Sequence, residues 1–185
     1  MGFIIIAISL FELISVASAF FYIFVYTILM SSCFIFLLLF IEKKEDNNEI
    51  IFIDNITFIN KFLNKNTLLS VIFSVTLLSL AGLPFFVGFL SKLYILLALI
   101  SMGYFFLVMI LLFINILTTL YYIRLIRFLL FIEEKNMKVN YSYINIKFSD
   151  SLYNLMMFLF MLNIIILFYH NYILLFILNL IIIFF

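Results

Sequence analysis

Hydrophobic residues run along this chain in long unbroken blocks rather than in alternation. Four blocks stand out, at 2–41, 68–100, 104–131 and 151–185, with charged connections at 42–66 and 132–150. Blocks this long and nearly free of charge predict membrane-spanning helices, whereas barrel strands alternate every second residue. The chain therefore reads as one all-α membrane domain over residues 1–185, a polytopic helix bundle.

The block at 68–100, LLSVIFSVTLLSLAGLPFFVGFLSKLYILLALI, organises the rest. It holds the only proline, Pro84, two of the four glycines, Gly82 and Gly88, and one lysine, Lys92. As an unbroken helix it would reach ~50 Å, against a hydrocarbon core of ~30 Å. Two separate spans meeting at Pro84 would each fall short of the ~20 residues a crossing needs. A single discontinuous crossing is predicted instead. Gly82 and Gly88 permit unusual dihedrals, while Pro84 removes a donor and blocks the helical ladder. Such a break survives at membrane depth only where protein or enclosed water satisfies the freed backbone groups. Lys92 lies two turns beyond it. A charge near the bilayer centre costs ~2.5–3.5 kcal/mol or more, so this lysine is expected to face the bundle interior and to be functional.

Residues 2–41 would overshoot the bilayer about twofold as one helix. A turn within ELISVAS, Glu12 to Ser18, divides them into a partial helix at 1–14 and a full span at 16–41. The partial helix is either half of a crossing or a re-entrant or interfacial segment. On the span, Ser18, Tyr22 and Tyr26 share one face and read as packing between helices. Residues 42–66 include an amphipathic stretch at 50–62, expected on the membrane surface or against a neighbour. A short turn at 101–103 leads to the span at 104–131. There Asn115, Thr118, Thr119 and Tyr122 fall at i, i+3, i+4 and i+7, on one face expected to turn towards Lys92. Hydrogen bonding between helices is the plainer role for the same groups. Residues 151–185 are interrupted by Tyr169-His170-Asn171-Tyr172 and form one long tilted helix or a span with an interfacial tail. His170 and its neighbours read as an interface anchor.

Composition narrows the chemistry. Hydrophobic residues make up 69% and charged ones 10%, and the mean hydropathy is +1.39. The net charge of +1 gives no reason to expect nucleic acid. One cysteine, Cys33, leaves no internal disulfide and no cysteine metal site, and no haem, flavin or iron–sulfur ligand set is present. The abundance of Phe, Ile, Asn, Lys and Tyr suggests an AT-rich coding genome. If residues 68–100 cross once, both charged connections share one side with nearly all Lys and Arg, as the positive-inside tendency favours.

Several linked motifs carry a resemblance. SLAGLPFFVGFLSKLY (79–94) followed by LTTLYYIRL (117–125), with MGFIIIAIS and FFYIFVYTI upstream, is similar to the antiporter-like subunits of respiratory complex I. NADH dehydrogenase subunit 2 is the type it most closely resembles. The likeness runs from residue 1 to about 131. It implies a proton-pumping subunit of the mitochondrial inner membrane, with both charged connections on the matrix side. Lys92 would correspond to the lysine of the second half-channel. It also implies other complex I membrane subunits as partners. NADH, flavin, iron–sulfur and quinone sites would lie in those subunits, with only lipids against this chain. The family's chain is about twice as long, so a split subunit is expected, with a separate polypeptide supplying the N-terminal half.

On this reading no residue here is catalytic in the redox sense. Lys92 is the proton-carrying group, beside the break at Gly82, Pro84 and Gly88, and Ser79, Asn115, Thr118, Thr119 and Tyr122 offer a water path. Two other readings compete: a scaffold in which Lys92 pairs with a partner's acid, and a component of a multi-subunit cation/proton antiporter.

Overall fold

The structure, a computed structural model, describes residues 2–38, 41–43, 50–52, 67–131 and 150–184. These form helices α1 (Gly2–Ser9), α2 (Leu13–Leu38), α3 (Thr67–Ala81), α4 (Val87–Ser101), α5 (Phe105–Phe131) and α6 (Asp150–Phe184). After α2, β1 (Ile41–Lys43) pairs antiparallel with β2 (Ile50–Phe52), with Ile41 opposite Phe52. Of the predicted amphipathic stretch at 50–62, the first three residues are thus strand. The remainder, and almost all of the connection at 132–150, lies outside the described residues. Among the described residues three helices are long and apolar enough to cross a membrane: Leu13–Leu38, Phe105–Arg127 and Ser151–Ile183.

The first turn falls earlier than ELISVAS suggests. The chain leaves α1 at Leu10–Glu12, where Phe11 takes a positive φ of 51° and its N–H bonds the Ile8 carbonyl at 3.1 Å. The serines that looked like turn formers sit inside α2. Ser15 Oγ donates to the Glu12 carbonyl at 2.8 Å, and Ser18 Oγ to the Ser15 carbonyl at 2.7 Å. A hydroxyl satisfied within its own helix does not compete with the helix, so serine there is no breaker.

Ring contacts fix the order of the crossings. Phe36, near the end of α2, stacks on Phe73 of α3 at 3.6 Å, and Phe21 meets Tyr94 of α4 edge-on at 5.6 Å. The pair α3–α4 therefore runs in line, antiparallel to α2, as one interrupted crossing. A closing turn at Gly103 (φ 81°) reverses the chain, with Gly103 N–H on the Ile100 carbonyl and Tyr104 N–H on the Leu99 carbonyl. Helix α5 then returns: Val108 and Leu111 pack with Ile95 and Leu99, and Tyr122 and Leu125 pack in the cluster around Leu69 and Phe73. The described helix ends that border both charged connections thus lie at one end of the bundle.

The last block is one continuous helix of 35 residues, roughly 50 Å long. Its polar interruption does not anchor it at a bundle end. Asn171 Oδ1 accepts a 2.6 Å hydrogen bond from the Tyr94 hydroxyl, and His170 lies across the Tyr94 ring at 6.1 Å. Tyr94 is seven residues before the end of α4, about 10 Å inside it. Elsewhere α5 and α6 turn large apolar side chains outward, Phe106, Phe113 and Phe168 among them. In water such faces would aggregate, whereas in lipid they are the expected solvent contact.

Of the four glycines, Gly88 makes the tightest approach to a neighbouring helix. A Cβ built there would stand 1.8 Å from the Ser79 carbonyl oxygen, so the close passage of α4 by α3 requires the missing side chain. Its role is this contact, not an unusual dihedral. Gly88→Ala is expected to lower the melting midpoint of the assembled protein by an amount equivalent to about 1–3 kcal/mol of overpacking. Gly2→Ala, where a Cβ meets nothing within 4 Å, is the control and should leave it unchanged.

Candidate functional site

The site grows out of the way α3 ends. Gly82, at φ 80°, donates its N–H to the Ser79 carbonyl at 3.0 Å, and Leu83 N–H reaches the Leu78 carbonyl at 3.4 Å. This pair of bonds is the Schellman closure, which glycine allows without steric cost. Two residues on, Pro84 has no N–H to offer the carbonyl four residues earlier, which belongs to Leu80. Phe85 follows at φ 79° and is 90% exposed on the bundle's outer face. A non-glycine residue in this region stores about 1–3 kcal/mol, held by the structure on both sides. Phe86 is extended (φ −111°, ψ 153°) and starts α4, accepting from the Phe89 and Leu90 N–H groups.

Lys92, one turn and a half into α4, reaches back to the carbonyls left open by this break. Its Nζ donates to Leu80 O at 3.3 Å, Ala81 O at 3.2 Å and Asn115 Oδ1 at 2.8 Å. An ammonium has three donors, and all three are engaged. The side chain is 7% exposed. The two carbonyls are the negative end of α3, so the cation sits where the helix dipole favours it. Gly82 makes the space: a Cβ there would meet Lys92 Nζ at 2.7 Å.

Ser79 closes the other flank. Its Oγ accepts the Gly88 N–H at 3.1 Å, tying the end of α3 to the first turn of α4. A small cavity of about 10 Å³ is lined by Lys92, Ser79, Ser91, Gly88, Tyr22 and Tyr26. That is about the least volume able to hold one water. Tyr22 and Tyr26 stack at 5.9 Å on α2, so their packing face and the lysine face meet.

The predicted residues divide accordingly. Lys92, Ser79, Gly82, Gly88 and Asn115 come together. Thr118 and Thr119 are not in the wall of that cavity, and each hydroxyl donates to its own helix, to Asn115 O at 2.8 Å and Ile116 O at 2.7 Å. Tyr122 packs in the apolar cluster with the Tyr121 ring edge-on at 5.6 Å. Ser91, Tyr22 and Tyr26 were not singled out as neighbours of Lys92. The i, i+4 spacing of the tyrosines marked their face, and nothing in the sequence said what lay opposite. Among the described residues no group of three or more His, Cys, Asp or Glu side chains gathers as a metal cage would need.

Asn115→Leu would leave one donor of the buried ammonium unpaired, a loss of about 1–3 kcal/mol. The melting midpoint of the assembled protein is expected to fall accordingly. Thr119→Val, which removes only a bond within one helix, should move it far less.

Comparison with known proteins follows the same stretch. Residues 1–119 match the family described as NADH:quinone oxidoreductase/Mrp antiporter, TM. NADH-quinone oxidoreductase subunit N of Francisella tularensis subsp. holarctica is 36% identical over 75 residues, 40% of this chain and 16% of that protein. The protein of the same name from Protochlamydia amoebophila is 31% identical over 135 residues, 73% of this chain and 26% of that one. The chain thus spans about a quarter or less of the length of these relatives. With the interrupted helix, the enclosed lysine and the match over residues 1–119 in agreement, this chain is a multi-pass membrane member of the NADH:quinone oxidoreductase/Mrp antiporter transmembrane family.

Proposed function

We propose that this chain is part of a proton-translocating membrane-arm subunit of NADH:quinone oxidoreductase and that Lys92 is its proton-carrying group. The observation that supports this best is the enclosure of a lone ammonium by two break-freed carbonyls and one amide oxygen. Among these three acceptors there is no carboxylate, so the amine is not locked into an ion pair by them. A carrier must exist both with and without its proton, and a lysine in low-dielectric surroundings can do so where an arginine cannot.

In the proposed cycle Lys92 receives a proton from polar groups supplied by the rest of the subunit. It is held as ammonium on Leu80 O, Ala81 O and Asn115 Oδ1. Exchange of one of these partners for water in the adjoining small cavity then releases the proton. Electron transfer takes place in other subunits of the complex, which hold the NADH, flavin, iron–sulfur and quinone sites. Those membrane subunits and lipid are the partners. The remainder of such a subunit, beyond the share of the relatives that this chain matches, belongs to the same proposal. The mitochondrial inner membrane, with the charged connections in the matrix, is the proposed setting, and the distribution of Lys and Arg supports placing both connections on one side.

A cation/proton antiporter component is the second reading, because the family description names that class as well. Mass spectrometry of co-purifying chains separates the two: oxidoreductase subunits are expected, and antiporter subunits in their place would reverse the assignment. Within the assembled complex, Lys92→Met should lower the protons moved per NADH oxidised. Lys92→Arg should do the same, since it keeps the charge and the hydrogen bonds but cannot release its proton. Full pumping in Lys92→Arg would mean that the charge only holds the structure together.

A further inference from the structure

One groove on the outer face of the bundle combines apolar walls with an unanswered acceptor. It measures about 190 Å³ and runs between the helix break and α6, over Leu29 of α2. Phe85 and Val87 stand on one side of it, Ile164 and Leu167 on the other. Phe85 is 90% exposed and Ile164 39%, so the groove opens on the surface of the bundle. The break falls midway between Thr67 and Ser101, which puts the groove roughly 20 Å or more from either end of the crossing. Asn163, on the α6 wall, is 9% exposed. Its amide N–H donates to the Leu159 carbonyl at 3.0 Å, within α6. Its Oδ1 is buried and has no partner among the described residues. The hydroxyl groups in the wall are engaged. Thr76 Oγ1 donates to the Phe73 carbonyl at 2.8 Å, and Ser79 Oγ accepts the Gly88 N–H at 3.1 Å.

We propose that this groove receives a tyrosine from a membrane helix of a neighbouring subunit, its ring against the apolar walls and its hydroxyl donating to Asn163 Oδ1. A lone acceptor in an apolar setting calls for one donor on an apolar body. At mid-depth the candidates are few. A lipid acyl chain fits the walls but has no donor, and the headgroups lie far off. A water needs two to four polar partners, more than this wall offers. A lysine or arginine would bring a charge into hydrocarbon beside an amide oxygen that cannot neutralise it. Serine or threonine carries a donor but leaves most of the volume empty. A benzene ring occupies an apolar cavity of about 150 Å³, so 190 Å³ suits a phenol. An indole, with its second fused ring, needs more than that margin. Tyrosine also adds the usual energetics of a contact between membrane helices, a large buried ring with its hydroxyl hydrogen-bonded across the interface. Phe85, held outward at a φ of 79°, stands at the rim, where a second ring packs edge to face. The strain at Phe85 thus displays an aromatic ring at the mouth of the groove. Nothing in this inference depends on Lys92 carrying a proton.

The test uses the assembled complex from cells grown with photo-leucine, which places a diazirine at leucine positions without a mutation. Irradiation followed by mass spectrometry maps what Leu29 and Leu167 touch. A crosslink from either to a membrane helix of another polypeptide, within one turn of a tyrosine, is expected. Lipid adducts alone, crosslinks only within this chain, or a partner segment without tyrosine overturn the proposal. Whether the partner is an oxidoreductase or an antiporter subunit bears on the proposed function and leaves this inference standing. The tyrosine so found is then changed to phenylalanine and Asn163→Leu is made, singly and together. Retention of this chain in the complex is followed on native gels through a detergent series. Each single change leaves one buried group unpaired and is expected to lower retention about fivefold or more. The double change is expected to cost no more than either alone, because replacing both partners leaves no orphan. Additive losses, or no loss from either change, overturn the hydrogen bond. Should Asn163→Leu fail to assemble, the crosslinks and the tyrosine-to-phenylalanine change decide.

Discussion

A missing hydrogen-bond donor underlies the arrangement. In a continuous helix the Leu80 carbonyl would take the N–H of residue 84, and proline has none. Water normally answers such a carbonyl, but at membrane depth a freed backbone acceptor has only protein or an enclosed cavity to turn to. Here the answer is Lys92 Nζ, at 3.3 Å from Leu80 O and 3.2 Å from Ala81 O. Each side removes the other's penalty. A bare carbonyl and a bare ammonium would both be costly in hydrocarbon, and together they form a satisfied pair without a counter-charge from another side chain among the described residues.

Geometry around this pair is tight because glycine permits it. Gly82 closes α3 in a conformation that L side chains resist, and its missing Cβ leaves room for the ammonium. Gly88 lets the Ser79 carbonyl pass where a methyl group would stand. Ser79 then bridges α3 and α4 through the Gly88 N–H at 3.1 Å. The break is thus held by specific bonds rather than left slack. Within the break the strained residue is Phe85, whose side chain turns outward.

Helix order does the rest. Because α3 and α4 run in line and antiparallel to α2, the tyrosine face of α2 lies level with the break, and α5 brings Asn115 to the ammonium at 2.8 Å. The outer faces of α5 and α6 remain apolar and exposed, as lipid or a neighbouring subunit would require. The interior is the reverse: small residues such as Ala17, Ser18 and Ala19 are buried and let the helices approach.

Much of this was legible beforehand, because a few residues have backbone consequences that no packing can override. A proline without a donor, a glycine before it and a lysine two turns later dictated an interrupted crossing with an inward cation, and the long apolar blocks dictated a membrane. Turn placement at Leu10–Glu12 was misread, since a serine's hydroxyl can serve either a turn or its own helix, and only the observed bond to the Glu12 carbonyl distinguishes them. The same holds for Thr118 and Thr119: spacing assigns them a face, and only the observed bonds show their hydroxyls donating within α5. Gly88 and Tyr22 acquire their meaning from what lies across from them. Periodicity along one helix therefore determined which residues look inward, and the contact between helices decided what each of them meets.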